Sequence, residues 1–316
     1  MTQHAIVRFV SLITFTLAVS ALTYAQPQRT FVSAQTGNDA NTVNNCSLAQ
    51  PCRNFNAAIG VVLAGGEVVA LNSGGYGATT INKAVTLTSP LGVYAAITAL
   101  TAGSSAITVS APGTTVVLRG LTLTGLGGET GINVTSVGNL HVEGCVISGF
   151  SSRGINVNLT ADGSYIFIKD TITRNNGNAG VSITTTIGTV KASIDNCRSE
   201  RNLAFGFFAA NNSLVTINRS VASGNGNYGF WAYGNFSGAT AQLNCEECVA
   251  SNNDYGFYVL GLSGGVATIR VADSTATNNT YGFFRDTGGL FESLGNNLVR
   301  GNGTNTSGTI TIVGGN

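Results

Sequence analysis

The feature that most constrains this chain is a repeat that occupies residues 140–302. An asparagine recurs after 26, 23, 28, 26 and 23 residues, and glycine and aliphatic positions recur at closely similar steps. The asparagine column is Asn176, Asn202, Asn225, Asn253, Asn279 and Asn302; the glycine column is Gly131, Gly154, Gly180, Gly206, Gly229, Gly256 and Gly282; the aliphatic column is Val142, Ile168, Ile194, Ile217, Cys245, Val271 and Leu294. Three columns that keep step predict a solenoid.

The period predicts an all-β fold, a right-handed parallel β-helix of about 25 residues per coil. Each coil has room for three short strands, and successive coils stack about 4.8 Å apart. An asparagine amide both donates and accepts, so asparagines stacked at one bend should form a hydrogen-bonded ladder. Leucine-rich repeats have a similar period, but their L-x-x-L-x-L core is absent from this sequence.

Residues 1–25 have the pattern of a secretory signal peptide. His4 and Arg8 precede an apolar run over residues 9–22, and small residues lead up to Ala25. The apolar run is too short to span a bilayer. We therefore expect export to the periplasm, the cell surface or the medium, with no membrane insertion after cleavage.

The charge balance excludes one class of partner. The chain has 15 basic and 14 acidic residues and a net charge of +1, so no basic face for nucleic acid is expected. No cofactor or metal motif is present, and we expect neither. A monomer is the expected assembly.

Residues 26–66 are predicted to form an N-terminal cap, and residues 67–316 the β-helix. Cys46 and Cys52 lie close enough for a local disulfide in an exported protein. Residues 53–63 follow with an apolar face of helical period that includes Phe55, Ala58 and Ile59. A short amphipathic helix here would cover the open end of the first coil.

The segments CSLAQPCRNF, GGEVVALNSGGYG, VVLRGLTLTG and LHVEGCVISGF resemble those of bacterial secreted right-handed parallel β-helix proteins of the pectate-lyase-like superfold. This resemblance implies the fold for nearly the whole mature chain. Some relatives are polysaccharide lyases or hydrolases, and the fold hosts many activities. The W-x-D-H motif of pectate lyases and the G-H-G motif of polygalacturonases are missing here.

Four further cysteines lie in the coils. Cys145, Cys197 and Cys248 share one column, in which two coils separate the first pair and put it beyond disulfide reach. Cys245 and Cys248 are three residues apart around a bend and could pair. A structural role is the favoured interpretation for all four.

Two polar columns are candidates for catalysis. One contains Glu143, Lys169 and Asp195, and its neighbour contains Asp170 and Arg219. A lyase needs a base and a cation beside a uronate carboxylate, which makes Lys169, Asp195 and Arg219 the candidate catalytic residues. The alternative, which we favour, is a ladder of opposite charges that pair across coils.

An aromatic column in the C-terminal half is the most suggestive surface feature. Each repeat glycine there precedes two apolar side chains, of which the first should point inward and the second outward. The outward set is Phe208, Trp231, Tyr258 and Phe284, next to Phe205, Tyr228, Tyr255 and Tyr281 on the adjoining bend. Aromatic rings in a row suit stacking on the C–H faces of sugars, so the outward four are candidate glycan contacts. Coverage by loops or by a partner subunit is the alternative.

Three functional hypotheses follow. The first is a non-catalytic secreted or cell-surface protein that contacts glycan or another extracellular macromolecule through a lateral face. The second is a polysaccharide lyase or hydrolase, and the third is a structural envelope or adhesin-like protein. Whether the protein is an enzyme stays open at this level.

Overall fold

The computed structural model of the protein describes residues 26–160 and 163–314, so the predicted signal peptide lies outside the described residues. The N-terminal part contains two short helices among short strands. Its elements are β1 (Arg29–Val32), a 3-10 helix (Asp39–Asn44), α1 (Phe55–Val61), β2 (Glu67–Ala70), β3 (Gly74–Gly75), β4 (Thr79–Ile81), β5 (Val85–Thr88), β6 (Ala95–Ala99), β7 (Ser105–Arg119) and β8 (Thr122–Gly125).

The remainder consists of strands joined by bends and short loops. They are β9 (Thr130–Glu143), β10 (Val146–Ser148), β11 (Arg153–Leu159), β12 (Tyr165–Lys169), β13 (Ile172–Arg174), β14 (Ala179–Thr185), β15 (Val190–Asp195), β16 (Arg198–Glu200), β17 (Phe205–Ala210), β18 (Ser213–Asn218), β19 (Val221–Ser223), β20 (Tyr228–Gly234), β21 (Thr240–Glu246), β22 (Val249–Ser251), β23 (Tyr255–Gly261), β24 (Val266–Ala272), β25 (Thr275–Thr277), β26 (Tyr281–Arg285), β27 (Gly289–Ser293), β28 (Leu298–Val299), β29 (Thr304–Ser307) and β30 (Ile310–Ile312).

These strands form three parallel walls, which confirms the right-handed parallel β-helix. Wall A contains β1, β2, β5, the second halves of β7 and β9, β12, β15, β18, β21, β24, β27 and β30. Wall B contains β3, β6, β8, β10, β13, β16, β19, β22, β25 and β28. Wall C contains β4, the first halves of β7 and β9, β11, β14, β17, β20, β23, β26 and β29. Each coil visits the walls in the order A, B, C.

The register places equivalent residues above one another. Ile168 pairs with Val142 and with Ile194, and the series continues through Ile217 and Cys245. The prediction fails at its last member, because Val271 pairs with Ser293, and Leu294 is 39% exposed. The strand that precedes this position is short, so the aliphatic pattern was shifted by one residue there.

The core is a stack of side chains that alternate inward along every wall. Phe207, Phe230 and Phe257 form a buried column with ring centroids 5.2 and 4.8 Å apart. Phe283 extends the column and packs on Phe291 of wall A at 4.8 Å. Burial of such aromatic columns supplies much of the favourable free energy of folding.

The bend between walls A and B requires the left-handed backbone conformation. Its φ angles are +46° to +69°, a range that costs an L-residue free energy but suits Gly, Asn and Asp. The residues in this position are Gly120, Gly144, Asp170, Asn196, Arg219, Glu247 and Asp273. The second polar column of the sequence is therefore a column of bends.

The bend between walls B and C carries the asparagine ladder. Each side-chain Nδ2 donates to the Oδ1 of the next asparagine, at 2.9 Å from Asn176 to Asn202 and 3.1 Å from Asn225 to Asn253. The backbone N–H groups of these residues donate to the same oxygens. The ladder reaches Asn302 at 2.9 Å. These buried amides satisfy the polar groups of a bend that water does not reach.

The N-terminal end is covered by residues that precede β2. Cys46 and Cys52 form a disulfide. Helix α1 buries Phe55, Ala58 and Ile59, and the Phe55 ring packs on Tyr76 at 5.2 Å. The helix is shorter than the predicted span of residues 53–63. Across the described residues, no helix combines the length and the apolar character needed to cross a membrane.

Candidate functional site

The predicted outward aromatics lie together on wall C. Phe208 pairs with Trp231, Trp231 with Tyr258, and Tyr258 with Phe284, so one ring sits on each of four coils. A parallel column of rings runs beside them at the start of the same strands. We call these eight residues the aromatic strip: Phe208, Trp231, Tyr258, Phe284, Phe205, Tyr228, Tyr255 and Tyr281.

Glycine before each aromatic pair lets the coils stack closely at this bend. A Cβ added at Gly229 would lie 2.7 Å from the Gly256 carbonyl oxygen and 3.0 Å from Nδ2 of Asn253. The asparagine ladder and the glycine column therefore share one space. Together they determine the direction in which the following strand leaves, and so they place the strip on the outer face.

Trp231 is the centre of the strip. Its ring lies 4.5 Å from those of Phe208 and Tyr228 and 4.8 Å from that of Phe205, at tilted or edge-on angles. Phe208, Trp231 and Phe284 are half-buried. The indole N–H of Trp231 is buried and has no hydrogen-bond partner among the described residues. The rings therefore support one another and still leave part of their surface accessible.

Tyr258 differs from the other three candidates. It points away from the core, yet it is only 5% exposed because Tyr228, Tyr255 and Phe284 pack around it at 4.6 to 5.5 Å. Its hydroxyl donates to Oδ2 of Asp286 at 2.7 Å. Burial and this hydrogen bond raise the pKa of Tyr258. A ligand on the strip would meet its neighbours first, and Tyr258 acts mainly as their support.

Polar side chains delimit the strip along the solenoid axis. On the N-terminal side its outer column continues as Asn156 and Asn133, which are joined by an amide hydrogen bond of 2.9 Å. On the C-terminal side it continues as Ser307, and the inner column as Thr304. The apolar surface is thus a narrow band two rings wide.

The three candidate catalytic residues lie next to one another on wall A and its bend. Lys169 pairs in register with Glu143 and with Asp195. Arg219 forms an ion pair with Asp195, and this hydrogen bond raises the pKa of Arg219. The carboxylate that would act as a base already accepts from a guanidinium. Arg119 pairs with Glu143 at 2.8 Å in the same way. This arrangement matches the charge ladder better than a lyase site.

A shallow groove of about 310 Å³ lies on the C-terminal part of wall A. Arg270 crosses it, with Nε 2.6 Å from Glu292 and a second nitrogen 3.2 Å from the amide oxygen of Asn244. Oδ1 of Asn218 is buried at its edge without a hydrogen-bond partner among the described residues. Its floor includes Cys245. Within the described part of the chain, no group of three or more His, Cys, Asp or Glu side chains could hold a metal ion.

Comparison with known proteins agrees with this architecture. A family model described as the right-handed beta helix region matches residues 130–303, which is more than half of the 316-residue chain. The chain belongs to the right-handed β-helix family. No curated protein matches the sequence.

Solved structures similar to this β-helix include polysaccharide-active enzymes. The pectate lyase Pel9A is 18% identical, with a TM-score of 0.63 over 90% of this chain and 77% of the lyase. A rhamnogalacturonan lyase is 12% identical, with a TM-score of 0.48 over 90% of this chain and 89% of its own. A lacto-N-biosidase from Eubacterium ramulus is 10% identical, with a TM-score of 0.40 over 90% of this chain and 68% of its own. At 18% identity the likeness to the pectate lyase shows the fold alone.

Two features of this β-helix were missed in the sequence. Tyr233 joins the edge of the strip, with its ring 4.9 Å from that of Trp231. The groove at Arg270 was missed as well, although Gln242 and Asn244 alternate with buried residues along β21 and mark a polar outer face. The depth of a groove depends on side chains from several coils, so alternation in one strand is not enough to predict it.

Proposed function

We propose that this protein is an exported, non-catalytic β-helix protein that contacts an extracellular glycan through the aromatic strip. The observation that carries the proposal is the band of eight rings centred on Trp231, half-buried and bordered by polar side chains. Export is supported by the pattern of residues 1–25 and by the Cys46–Cys52 disulfide.

The shape of the strip favours a glycan. A sugar ring has an apolar C–H face and a polar rim, and it stacks on aromatic rings through that face. The strip is long and two rings wide, so a linear chain can lie along it and reach the asparagine and serine side chains at its two ends. A bound hydroxyl that reached the Trp231 N–H would also satisfy a donor that is otherwise costly to leave unpaired.

The experiment is a binding titration of the mature chain. Trp231 is the single tryptophan, so intrinsic fluorescence reports directly on the strip. Neutral and acidic soluble polysaccharides are titrated separately, and we expect a saturable change in emission with at least one of them. Phe208→Ala should weaken binding by about 3- to 10-fold, since one aromatic contact contributes about 0.5–1.5 kcal/mol.

Trp231→Ala should weaken binding further, as measured by pull-down because the fluorophore is lost. Tyr165→Ala is the matched control: it removes an exposed aromatic ring of wall A, outside the strip. The proposal is rejected if no polysaccharide binds, or if Trp231→Ala and Phe208→Ala both bind as well as the wild type.

The same samples test the lyase alternative. Fold similarity to pectate lyase Pel9A and the cluster of Lys169, Asp195 and Arg219 are its only support. A lyase acting on a polyuronate would produce unsaturated uronate, which absorbs in the ultraviolet. Absorbance that grows with time and disappears in Lys169→Ala would replace binding by catalysis as the proposed function.

A further inference from the structure

The bend between walls A and B holds two thiols in one coil. In each coil, an inward residue near the end of the wall A strand and the residue three positions later stand on either side of this bend. The equivalent pairs are Val142 and Cys145, Ile168 and Thr171, Ile194 and Cys197, Ile217 and Ser220, Cys245 and Cys248, and Val271 and Ser274. Only one of these pairs consists of two cysteines.

The two thiols touch inside the coil. The Cys245 S–H hydrogen-bonds to the sulfur of Cys248, and this bond lowers the pKa of Cys248, whereas burial raises the pKa of Cys245. Both side chains are buried, at 3% and 0% exposure. Glu247 lies between them in the left-handed conformation, with φ of +52°, which turns the chain so that the two side chains converge.

The other two coil thiols lack such a partner. Sγ of Cys145 lies 3.5 Å from the Glu143 carbonyl oxygen, and Sγ of Cys197 lies 3.3 Å from that of Asp195. Burial raises the pKa of Cys145 to about 11 and that of Cys197 to about 12. Their neighbours across the bend are Val142 and Ile194. They serve as internal controls in an equivalent setting.

We infer that Cys245 and Cys248 are a disulfide-forming pair, which closes a second cross-link in the protein when a disulfide of the export compartment is available as oxidant. The inference rests on the export that we propose and is independent of glycan contact. Cys245 also lines the groove on wall A, which leads from the surface to the pair. Direct contact between the sulfurs makes large backbone movement unnecessary.

The chemistry is thiol–disulfide exchange. One cysteine thiolate attacks a sulfur of oxidised glutathione, forms a mixed disulfide and expels one glutathione thiolate. The second cysteine thiolate then attacks the protein sulfur of the mixed disulfide and expels the second glutathione. The two cysteines lose two electrons and two protons, and the reagent is reduced to two glutathione thiols.

The test is differential alkylation after refolding. The mature chain is refolded from urea in a glutathione redox buffer, so that burial does not limit access. It is then denatured, alkylated with iodoacetamide, digested and analysed by mass spectrometry. We expect full alkylation of Cys145 and Cys197, and an unalkylated peptide that contains Cys245 and Cys248 and is lighter by two hydrogens.

Two variants keep the result interpretable. Cys245→Val introduces the residue found at the equivalent positions 142 and 271, and Cys248→Ser introduces that found at 220 and 274. In each, the remaining cysteine should become alkylated or carry glutathione. The inference is wrong if wild-type Cys245 and Cys248 are both alkylated after the Cys46–Cys52 disulfide has closed, or if glutathione stays on either of them without an internal link.

Discussion

Individual residues of the strip divide into those that offer surface and those that hold it in place. Phe208, Trp231 and Phe284 remain half-exposed, whereas Tyr258 is buried beneath them and hydrogen-bonded to Asp286. Alternation along a strand predicts both kinds as outward. The difference arises because outward rings on adjacent coils are close enough to bury one another.

The Tyr258–Asp286 pair predicts a dependence of stability on pH. The backbone N–H of Thr287 and the Tyr258 hydroxyl lower the pKa of Asp286 below its ordinary value of about 3.9. A carboxylate whose pKa is lowered by folding contributes stability above its unfolded pKa, and this contribution is lost as the pH falls through the folded value. Asp286→Asn should therefore lower the urea midpoint at pH 7, and the difference from wild type should shrink below about pH 4.

The measurement is urea unfolding followed by Trp231 fluorescence at several pH values. Tyr258→Phe is the companion variant: it removes the hydroxyl and keeps the ring, and should reproduce part of the effect because the Thr287 N–H still donates to Asp286. A difference between wild type and Asp286→Asn that is equally large at pH 7 and pH 3 contradicts this account.

At the scale of elements, the bends specify the fold as much as the strands do. Wall B strands are only two to five residues long and would not persist alone. What places them is the left-handed bend on one side and the asparagine ladder on the other. The ladder satisfies buried backbone N–H groups in consecutive coils, which ties each coil to the next.

Removing one amide from the ladder should be costly. Asn225 accepts from the backbone N–H and side chain of Asn202 and donates to Asn253 and to the Ser199 carbonyl oxygen. Asn225→Ala leaves several of these groups unsatisfied, each at a cost of about 1–3 kcal/mol, and part is recovered by water. We expect a loss of about 2–4 kcal/mol in the free energy of unfolding, measured by urea denaturation.

Asn227→Ala is the matched control, because Asn227 is exposed and lies two residues along the same bend. It should change the free energy of unfolding by less than about 0.5 kcal/mol. Equal losses in the two variants would mean that the ladder contributes little beyond the general effect of substitution at this bend.

At the scale of the whole molecule, the solenoid is a one-dimensional stack in which each coil contacts mainly its neighbours. The N-terminal end is covered by helix α1 and by the segment that the Cys46–Cys52 disulfide closes. A defect at one end should therefore weaken nearby coils most. The strip lies on the C-terminal coils, far along the chain from that cap.

Phe55→Ala tests this locality. The ring is fully buried against Tyr76, and such a truncation typically costs about 3–5 kcal/mol. Hydrogen exchange should show the loss of protection in α1 and in β2 and β5, while β20 and β23 stay protected. Leu48→Ala, at a position 63% exposed in the same cap, is the control and should change little. Uniform loss of protection along the chain would contradict a stack of locally coupled coils.

The sequence alone was sufficient for the architecture, for particular reasons. A repeat of about 25 residues forces like residues to stack, so the register of Ile168 and Ile194, the ladder from Asn176 to Asn302 and the inward column of Phe230 could all be read from spacing. The bends were less readable, and the one-residue shift at Leu294 arose where the terminal strands shorten.

Only the tertiary structure decided which outward side chains are accessible and which charges are already paired. Periodicity fixes direction relative to the core, whereas exposure depends on the size and tilt of side chains from adjacent coils. That is why Tyr258 is covered, why Asp195 is occupied by Arg219, and why the thiols of Cys245 and Cys248 meet inside one bend. Contacts between coils are three-dimensional distances, and a linear pattern does not contain them.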